Sequence, residues 1–429
     1  MKGTFELPAV SLVVLNFNGR EHLEACLGSV VAVEYPKDRL EVLLCDNGSS
    51  DGSVGYVKER FPGVRVVALD RNYGFAEGNN RAAAQATHPW VGFLNNDMRV
   101  EPSWLRNLVE PLAEQPRLAC LSSRILNWEG SAIDFIGAGI NFQGFGFQFD
   151  FGHKQSSRDV PRRLLSPCGG AMVIRRELFR EIGGFDPDYF GFYEDADLGW
   201  RLNLLGHDVW YTPAATTYHR HHGTYKRFPD YKIQVLYQRN ALSTMYKCLD
   251  DENLAAALPA AILLLNEKAL LLADVRRATF EIAARPGAAT AGPDVPPRPT
   301  MATKARRALR EQGFRAVLRK GAAHARVRAG RLANRGRQVL LADAVPMPRA
   351  AVSHYVGLSQ FAHNLEALAQ KRSWLQQRRV RTDAEILPLF HVALEPSYGD
   401  PRYIDFHHWL IRTLELDRRF GAGQDSDSP

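Results

Sequence analysis

Two acidic clusters, far apart in the chain, carry the residue types that could do chemistry. Asn95-Asn96-Asp97 ends an apolar run, and Glu194-Asp195-Ala196-Asp197-Leu198 follows Gly184-Phe185-Asp186. A carboxylate in the first cluster could hold a divalent cation, Mg²⁺ or Mn²⁺, beside a diphosphate, because such cations prefer oxygen ligands. A carboxylate in the second could remove the proton of an attacking hydroxyl. These two groups are what sugar transfer from a nucleotide sugar requires, so the pair predicts an enzyme.

Both clusters also have an ordinary structural interpretation. Asn-Asn-Asp could be a turn that ends a strand, and acids at a helix start are common, with Asp197 and Arg201 spaced as an i,i+4 ion pair. We expect that interpretation to hold for Asp197 but not for Asp195. Neighbouring carboxylates should raise the pKa of one acid in this cluster, while the helix dipole lowers it. Glu194 could orient the acceptor or the base.

Three further polar segments accompany the acids. Asp46 opens the turn 46–53 and could accept the imide N–H of a uracil or thymine ring, although an Asx-turn explains it equally well. His219-Arg220-His221-His222 follows the predicted strand Asp208–Tyr211, and a neutral imidazole there could complete a metal site or bind a phosphate oxygen. A polar loop is the alternative. Ser166–Met172 reads as a glycine turn before a buried strand, suited either to close approach of a sugar or to tight packing.

The elements that would position these residues alternate between strands and helices. Apolar runs predict strands at Val10–Leu15, Leu40–Cys45, Val64–Leu69 and Trp90–Leu94. Helical patterns lie between them, the third opening at Gly78-Asn79-Asn80. This alternation predicts an α/β domain with a mostly parallel sheet. Ligands of such sheets bind at the carboxyl ends of the strands, where Asn16, Asp46, Arg71-Asn72 and Asn96-Asp97 stand.

The second half of the chain has a different character. Helical periodicity runs from Tyr231 to Ala284, a Pro-rich linker follows, and the remainder from Ala350 looks helical, with Trp374 and Trp409 as anchors and a disordered tail from Gly421. The predicted division is a catalytic domain at 1–228, a helical extension at 229–285, a linker at 286–300 and a basic, helical region at 301–429.

Charge and composition limit the partners and the compartment. Between Met301 and Arg337 there are twelve Lys or Arg and one acid, Glu311, which suits an anionic partner such as a lipid surface, or simply a solvated helix face. The block holds a single Phe, Tyr or Trp among its twelve basic residues, so no nucleic-acid partner is expected. The five cysteines are scattered and odd in number, which favours a reduced cytoplasmic interior. The apolar run Leu254–Leu265 is too short to predict a membrane span.

Taken together, the motifs resemble the inverting family 2 glycosyltransferases of GT-A fold, and within them the rhamnosyltransferase-like branch that builds bacterial cell-surface glycans. The resemblance covers roughly residues 8 to 228. It is carried in order by Val10–Gly19, Asp46–Ser53, Arg71–Ala76, Asn95–Asp97, Gly183–Asp186 and Glu194–Leu198. The helices beyond residue 228 resemble extensions of the same branch only loosely.

The resemblance implies a role for each matching residue. Asp46 matches the aspartate that reads the base, Leu15 and Phe17 the positions flanking it, and Arg71 a residue near the nucleotide. Asn96 and Asp97 match the end of an Asp-x-Asp metal motif by position. The chain departs from this motif in carrying Asn95 and Asn96 where many members of the family carry acids. His219 matches a histidine that contacts the metal or the diphosphate. The resemblance therefore implies Asp97 and His219 as the metal ligands. Asp195 matches the general base.

We therefore expect an inverting glycosyltransferase that uses Mg²⁺ or Mn²⁺ and lies at the inner face of the plasma membrane. The expected donor is a dTDP- or UDP-sugar, with dTDP-rhamnose first, and the expected acceptor is a polyprenyl-linked saccharide or a polysaccharide. Transfer of galactofuranose, glucose or N-acetylglucosamine is the alternative among enzymes. A non-catalytic scaffold that binds a nucleotide sugar is the alternative of another class, and Glu194 and Asp195 argue against it.

Overall fold

The computed structural model describes residues 5–220, 228–275 and 347–421. The chain divides into two compact units, Met1–Lys268 with Ser353–Pro429 and Ala269–Val352. The predicted domain boundaries at 228, 285 and 300 stay predictions. The Pro-rich linker, the basic block Met301–Arg337, the tail after Gly421, His221 and His222 all lie outside the described residues.

The first half of the sheet is parallel, as the alternation predicts. Its elements, in chain order, are β1 (Val10–Asn16), α1 (Arg20–Val31), β2 (Leu40–Asp46), α2 (Ser53–Arg60), β3 (Arg65–Ala68), α3 (Gly74–Ala83) and β4 (Trp90–Asn95). β1 pairs in parallel with β2 and with β4, and β2 with β3. Successive residues of β1 face opposite sides of the sheet, so Leu12 and Val14 pack into one apolar core and Val13 into the other.

The second half of the sheet mixes directions. It adds β5 (Met98–Val100), α4 (Trp104–Val109), β6 (Cys120–Asn127), β7 (Ile133–Phe135), β10 (Arg162–Leu164), β11 (Ala171–Arg175), α5 (Arg176–Glu181), α6 (Glu194–Leu204) and β12 (Val209–His219), while β8 (Ala138–Ile140) and β9 (Gly146–Gln148) form a separate hairpin. β11 lies antiparallel between β4 and β6, and β12 runs parallel to β6. The sheet is therefore mixed, with its order β10-β12-β6-β11-β4-β1-β2-β3.

Two sequence-based boundaries in this part were wrong. α3 begins at Gly74, not at Gly78, because Asn72 Oδ1 accepts the N–H of Gly74 and the glycine takes a positive φ of 81°. The strand predicted over Asp208–Tyr211 continues to His219, because β12 pairs with β6 and with β5 along its second half. His219 therefore lies at the end of a strand and not in a following loop.

The C-terminal helices are α7 (Asp230–Cys248), α8 (Asp251–Leu272), α9 (Arg349–His363), α10 (Leu365–Gln377), α11 (Asp383–Ile386), α12 (Pro401–Thr413) and α13 (Leu416–Phe420). Within the described part of the predicted helical segment Tyr231 to Ala284, the chain forms two helices separated at Leu249, whose ψ is 146°. Asp250 then accepts the backbone N–H of Asn253 and starts α8. α8 is 22 residues long with a mean hydropathy of 1.6 over its most apolar window, of which 44% is buried, so it meets the length and composition of a membrane span.

The two tryptophans predicted as anchors behave differently. Trp374 of α10 packs against the apolar core beneath the sheet, whereas Trp409 of α12 is 50% exposed. The interpretation of Trp409 was wrong because α12 buries its opposite side through Tyr403, His407 and Leu410. Trp409 instead stacks on Phe406, with ring centroids 5.7 Å apart.

Candidate active site

The polar residues at the strand ends lie together, as expected of neighbouring parallel strands. Asn16 is paired in register with Asp46, and its Nδ2 donates to Asp46 Oδ1 at 3.1 Å. On its other side, Asn16 Oδ1 accepts from Asn96 Nδ2 at 2.7 Å. Amide and carboxylate groups from β1, β2 and the end of β4 thus form one continuous hydrogen-bonded row at the edge of the sheet.

A cleft of about 590 Å³ opens beside this row. Four residues assigned to the nucleotide or metal line it, namely Leu15, Phe17, Asn96 and Asp97. The other lining residues are Asn47, Asn72, Gly74, Phe75, Asn95, Phe190 and Phe228. Apolar side chains with a few polar groups are typical of a pocket for a flat ring attached to a charged group.

Asp46 and Arg71 do not line this cleft. Asp46 is 2% exposed, and its Oδ2 accepts the backbone N–H of Ser49, three residues further along the turn, at 2.9 Å. Arg71 is exposed, with its guanidinium 4.7 Å from the ring centroid of Tyr73. Their assignment to the nucleotide stays a prediction. Asn47, next to Asp46, faces the cleft and holds the segment around Gly74 by accepting from the Tyr73 N–H at 2.9 Å.

His219 connects two buried carboxylates. Its Nδ1 lies 2.5 Å from Asp134 Oδ2 and its Nε2 lies 3.3 Å from Asp97 Oδ2. Burial alone would lower the pKa of His219, but its hydrogen bonds to the two carboxylates raise it to about 10. Burial alone would raise the pKa of Asp97, and the hydrogen bond and charge of His219 bring it below its usual value. The two side chains predicted to bind metal are therefore neighbours.

Asp134 orients the ring of His219. Because Asp134 takes the Nδ1 side of the ring, the Nε2 side faces Asp97, which is the arrangement of a metal-binding histidine oriented by a second carboxylate. Asp97 and the Nε2 atom of His219 could supply two metal ligands from the same side. The described residues contain no group of three His, Cys, Asp or Glu that could hold a metal. These two donors fit a cation that takes its remaining ligands from a diphosphate and water.

The second acidic cluster follows a turn of unusual backbone geometry. Phe190, Phe192 and Tyr193 have positive φ values of 61°, 67° and 69°, which residues with a side chain rarely adopt. α6 starts directly after them, so Glu194 and Asp195 are its first two residues. The turn thus joins Phe190, which lines the cleft, to the two acids, which are not themselves among the lining residues.

Asp195 is half-buried and held by backbone donors. Its Oδ2 accepts from the N–H of Gly169 at 2.9 Å and its Oδ1 from its neighbour Ala196 at 2.8 Å. Burial raises the pKa of Asp195, although these hydrogen bonds oppose the shift. A β-carbon placed on Gly169 would lie 3.2 Å from Asp195 Cβ and 3.3 Å from the ring of Phe75, so both residues lie against this glycine. Asp195 is thus adjacent to the cleft that Phe75 lines.

Glu194 is more deeply enclosed than Asp195. It is 7% exposed, and its Oε2 has no hydrogen-bond partner within residues 5–220, 228–275 and 347–421. Burial, and then the charges of Asp195 and Asp197, raise the pKa of Glu194 well above its usual value. Burial raises the pKa of both acids, and more strongly that of Glu194, so Glu194 keeps its proton to a higher pH than Asp195.

Asp197 is structural, as expected. Its Oδ2 lies 2.7 Å from Arg201 Nε, the predicted i,i+4 pair, and its Oδ1 lies 2.6 Å from the ammonium of Lys247. Lys247, on α7, is 2% exposed and also pairs with Asp186 at 2.5 Å. This buried charge network fixes α6 on α7.

The sequence motifs missed several residues of the site. Asp134 lies in a short strand where its only signal was a charged residue among apolar neighbours, and Lys247 and Asn240 lie on α7, beyond the segment that carries the motifs. Gly169 was singled out, but for contact with a sugar or for packing; the structure shows that its N–H binds Asp195.

Comparison with known proteins agrees with this geometry. The model of the family described as "Glycosyl transferase family 2" matches residues 11–183, and that described as "N-terminal domain of galactosyltransferase" matches residues 151–224. An N-acetylglucosaminyl-diphospho-decaprenol L-rhamnosyltransferase of Mycobacterium tuberculosis is 30% identical over 238 residues, which are 50% of this chain and 76% of that protein. An O-antigen biosynthesis protein of Myxococcus xanthus is 33% identical over 214 residues, 46% of this chain and 16% of that protein.

Among solved structures, the crystal structure of GalNAc-T7 with UDP, GalNAc and Mn²⁺ aligns with a TM-score of 0.47 at 19% identity, covering 59% of this chain and 51% of that chain. The α/β core with a cleft at the strand ends is a GT-A fold with a helical C-terminal region. The chain belongs to glycosyl transferase family 2, and it is a glycosyltransferase.

Proposed function

We propose that this enzyme transfers a sugar, with L-rhamnose from dTDP-rhamnose as the first candidate, to a polyprenyl-diphosphate-linked saccharide with inversion at the anomeric carbon. The observation that carries the proposal is Asp195, half-buried, held by the Gly169 N–H and adjacent to the cleft. The name of the mycobacterial relative supports both the donor sugar and the lipid-linked acceptor. Transfer of galactofuranose, glucose or N-acetylglucosamine from a UDP-sugar is the alternative.

The proposed chemistry uses groups at three places in the cleft. Leu15 and Phe17 would flank the base of the donor, with Asp46 and Arg71 assigned to the nucleotide on the resemblance alone. Asp195 would take the proton of the acceptor hydroxyl as its oxygen attacks the anomeric carbon opposite the diphosphate. The bond from that carbon to the phosphate oxygen then breaks, and the nucleoside diphosphate leaves. Phe192, Tyr193 and Tyr237 form an aromatic wall on the acceptor side, with Tyr237 4.7 Å from Phe192.

Asp97 and His219 Nε2 would hold a divalent cation, Mg²⁺ or Mn²⁺. Such a cation neutralises the charge that develops on a leaving diphosphate. In this role Asp134 would keep His219 oriented, and Asn96 would contribute a hydrogen bond to the nucleotide instead of a charge. His219→Ala should therefore weaken Mn²⁺ binding measured by titration in the presence of nucleoside diphosphate, while Asp188→Asn, a change of an exposed acid, should leave it unchanged.

The experiment that tests the function is a panel of nucleotide sugars assayed for binding and hydrolysis with Mg²⁺, Mn²⁺ or EDTA. Selective, cation-dependent binding of dTDP-rhamnose would support the donor assignment. Preference for a UDP-sugar would keep the mechanism and overturn the rhamnosyl assignment. Transfer that EDTA leaves unchanged would overturn the cation site.

We also propose that the enzyme works at the inner face of the plasma membrane, where a polyprenyl-linked acceptor is anchored. The basic block Met301–Arg337 supports this through its charge. Flotation with anionic vesicles should weaken at high salt and on deletion of the block. Binding that responds to neither change would remove this part of the proposal and leave α8 as the remaining source of membrane affinity.

A further inference from the structure

The turn before α6 is held from outside the segment that matches the family. Its three positive φ values, at Phe190, Phe192 and Tyr193, are unfavourable for residues with a β-carbon, so surrounding contacts must stabilise them. Within this segment, the backbone carbonyls of Tyr189, Gly191 and Phe192 are directed towards α7. Those carbonyls need donors, because this part of the chain is buried or half-buried.

Asn240 of α7 supplies the donors. Its Nδ2 lies 3.2 Å from the carbonyl oxygen of Tyr189, 3.0 Å from that of Gly191 and 2.7 Å from that of Phe192. Asn240 is 0% exposed, and its Oδ1 accepts from Arg239 Nε at 2.8 Å, which fixes the orientation of the amide. Arg239 adds a second donor to Tyr189, from Nη2 at 2.9 Å.

The same turn joins the two working parts of the site. The carbonyl of Phe190 accepts the N–H of Phe75 at 2.5 Å, and both residues line the cleft. At its other end the turn leads into Glu194 and Asp195 without an intervening residue. A shift of the turn would therefore move the wall of the cleft and Asp195 relative to each other.

We propose that Asn240 is a positioning residue for sugar transfer: by binding three carbonyls of the turn, it keeps Asp195 at a fixed distance from the donor cleft. The inference rests on the proposed role of Asp195 as the base. The residue lies beyond residues 11–183 and 151–224, the segments that the family models match. Asparagine suits the position because a neutral amide can donate to several carbonyls, whereas an ionised Asp would repel them.

The test compares Asn240→Ala and Asn240→Asp with Ser243→Ala. Ser243 is a matched control because it lies on the same helix, is buried, and donates to the carbonyl of Arg239 at 2.7 Å without contacting the turn. Because misplacement of a catalytic group by about 1 Å costs about 100-fold, kcat for transfer should fall about 100-fold in both Asn240 variants. The dissociation constant for nucleoside diphosphate should stay within a few-fold of the wild-type value, and Ser243→Ala should keep normal kcat.

Three outcomes would contradict the proposal. Asn240 variants with kcat near the wild-type value would show that the turn keeps its place without the amide. Equal losses of kcat in the Asn240 and Ser243 variants would indicate a general effect on α7. Failure of both Asn240 variants to fold would make Asn240 a residue of the fold and not of positioning. Asp195→Asn, assayed in parallel, separates the two proposals, because an active Asp195→Asn enzyme overturns the base itself.

Discussion

The backbone N–H of Gly169 donates to Oδ2 of Asp195 at 2.9 Å, which ties the turn before β11 to the first turn of α6. The contact settles what the glycine does here, because its α-carbon is close to both Asp195 and Phe75. Asp195, the proposed base, thus accepts hydrogen bonds from backbone N–H groups, and its position depends on the packing of this turn.

Gly169→Ala should lower kcat for transfer with little loss of stability. The added β-carbon would lie 3.2 Å from Asp195 Cβ and 3.3 Å from the ring of Phe75, so one of them must move. We expect a loss of about 10-fold to 100-fold, the cost of displacing a catalytic group by less than about 1 Å. Gly55→Ala is the control, because nothing lies within 4 Å of a β-carbon there. Unchanged kcat in Gly169→Ala would show that the site tolerates the shift.

Asp195→Asn should abolish transfer while nucleotide affinity stays within a few-fold. The amide keeps the size of the side chain but cannot take a proton, and removal of a general base costs about 10²–10⁴ in rate. Isothermal titration with nucleoside diphosphate and a transfer assay on the same preparation measure the two quantities. A variant that retains transfer would exclude Asp195 as the base.

Activity should also fall as the pH is lowered through the pKa of Asp195. Burial raises that pKa above the usual value of 3.8, and only the ionised form accepts a proton. The acidic limb of kcat/KM should therefore lie above pH 3.8, and wild-type protein must still be folded there by circular dichroism. An acidic limb at or below that value would show that Asp195 is exposed to water in the working enzyme.

Glu194→Gln should stabilise the protein at neutral pH. Burial and the charge of Asp195 raise the pKa of Glu194 in the folded protein above 4.5. The stability that its neutral form contributes is therefore fully present below pH 4.5, and it is lost as the pH rises through the pKa of the folded state. Glutamine removes that loss, and we expect a gain on the order of 1–3 kcal/mol, typical of a buried unpaired group.

Thermal unfolding at pH values below and above the transition measures this gain, which should vanish below pH 4.5. Glu177→Gln is the control, because Glu177 is exposed and pairs with Arg180 at the surface. A Glu194→Gln protein with unchanged stability at neutral pH would show that the carboxyl finds a partner when it ionises.

Lys247→Met should destabilise the catalytic region strongly. It leaves Asp186 and Asp197 without the ammonium that lies 2.5 Å and 2.6 Å from them, although Lys371 still contacts Asp186 and Arg201 still contacts Asp197. Breaking a buried ion pair costs about 3–5 kcal/mol of unfolding free energy. Because Lys371 and Arg201 remain as partners, we expect a loss near the lower value. Urea unfolding measures it, with the exposed Lys232→Met on the same helix as control. Equal stabilities would mean that Lys371 and Arg201 suffice.

The sequence was informative wherever short-range patterns determine structure. Alternating apolar runs predicted the parallel strands, and because carboxyl ends of parallel strands share an edge, the meeting of Asn16, Asp46 and Asn96 followed. The Asp197 to Arg201 pair was predictable from its helical spacing. Leu15, Phe17 and Asp97 line the cleft because each stands at or next to a strand end.

Contacts between distant segments were not predictable in this way. Nothing local links Asp134 to His219, or Asn240 to the turn before α6, because those contacts depend on the pairing of β6 with both β7 and β12 and on the packing of α7 on α6. His219 was expected to follow the strand Asp208–Tyr211, but pairing with β5 and β6 extends β12 as far as His219. Trp409 was misread because aromatic content alone does not tell which side of α12 is buried.

Tyr237→Ala should raise the KM for the acceptor and leave donor binding unchanged. Tyr237 of α7 is half-buried, its ring lies 4.7 Å from Phe192 and 5.9 Å from Tyr193, and the charge of Glu194 adds to burial in raising the pKa of its hydroxyl. In the proposed arrangement, the ring lies on the acceptor side of the acids, where a sugar could pack against it. We expect KM to increase about 2-fold to 13-fold, which corresponds to the loss of one aromatic contact of about 0.5–1.5 kcal/mol. Tyr237→Phe, which keeps the ring, should stay near the wild-type KM, and Tyr231→Ala, at the start of α7, is a second control. An acceptor KM that does not change in Tyr237→Ala, with donor affinity preserved, would place the acceptor elsewhere.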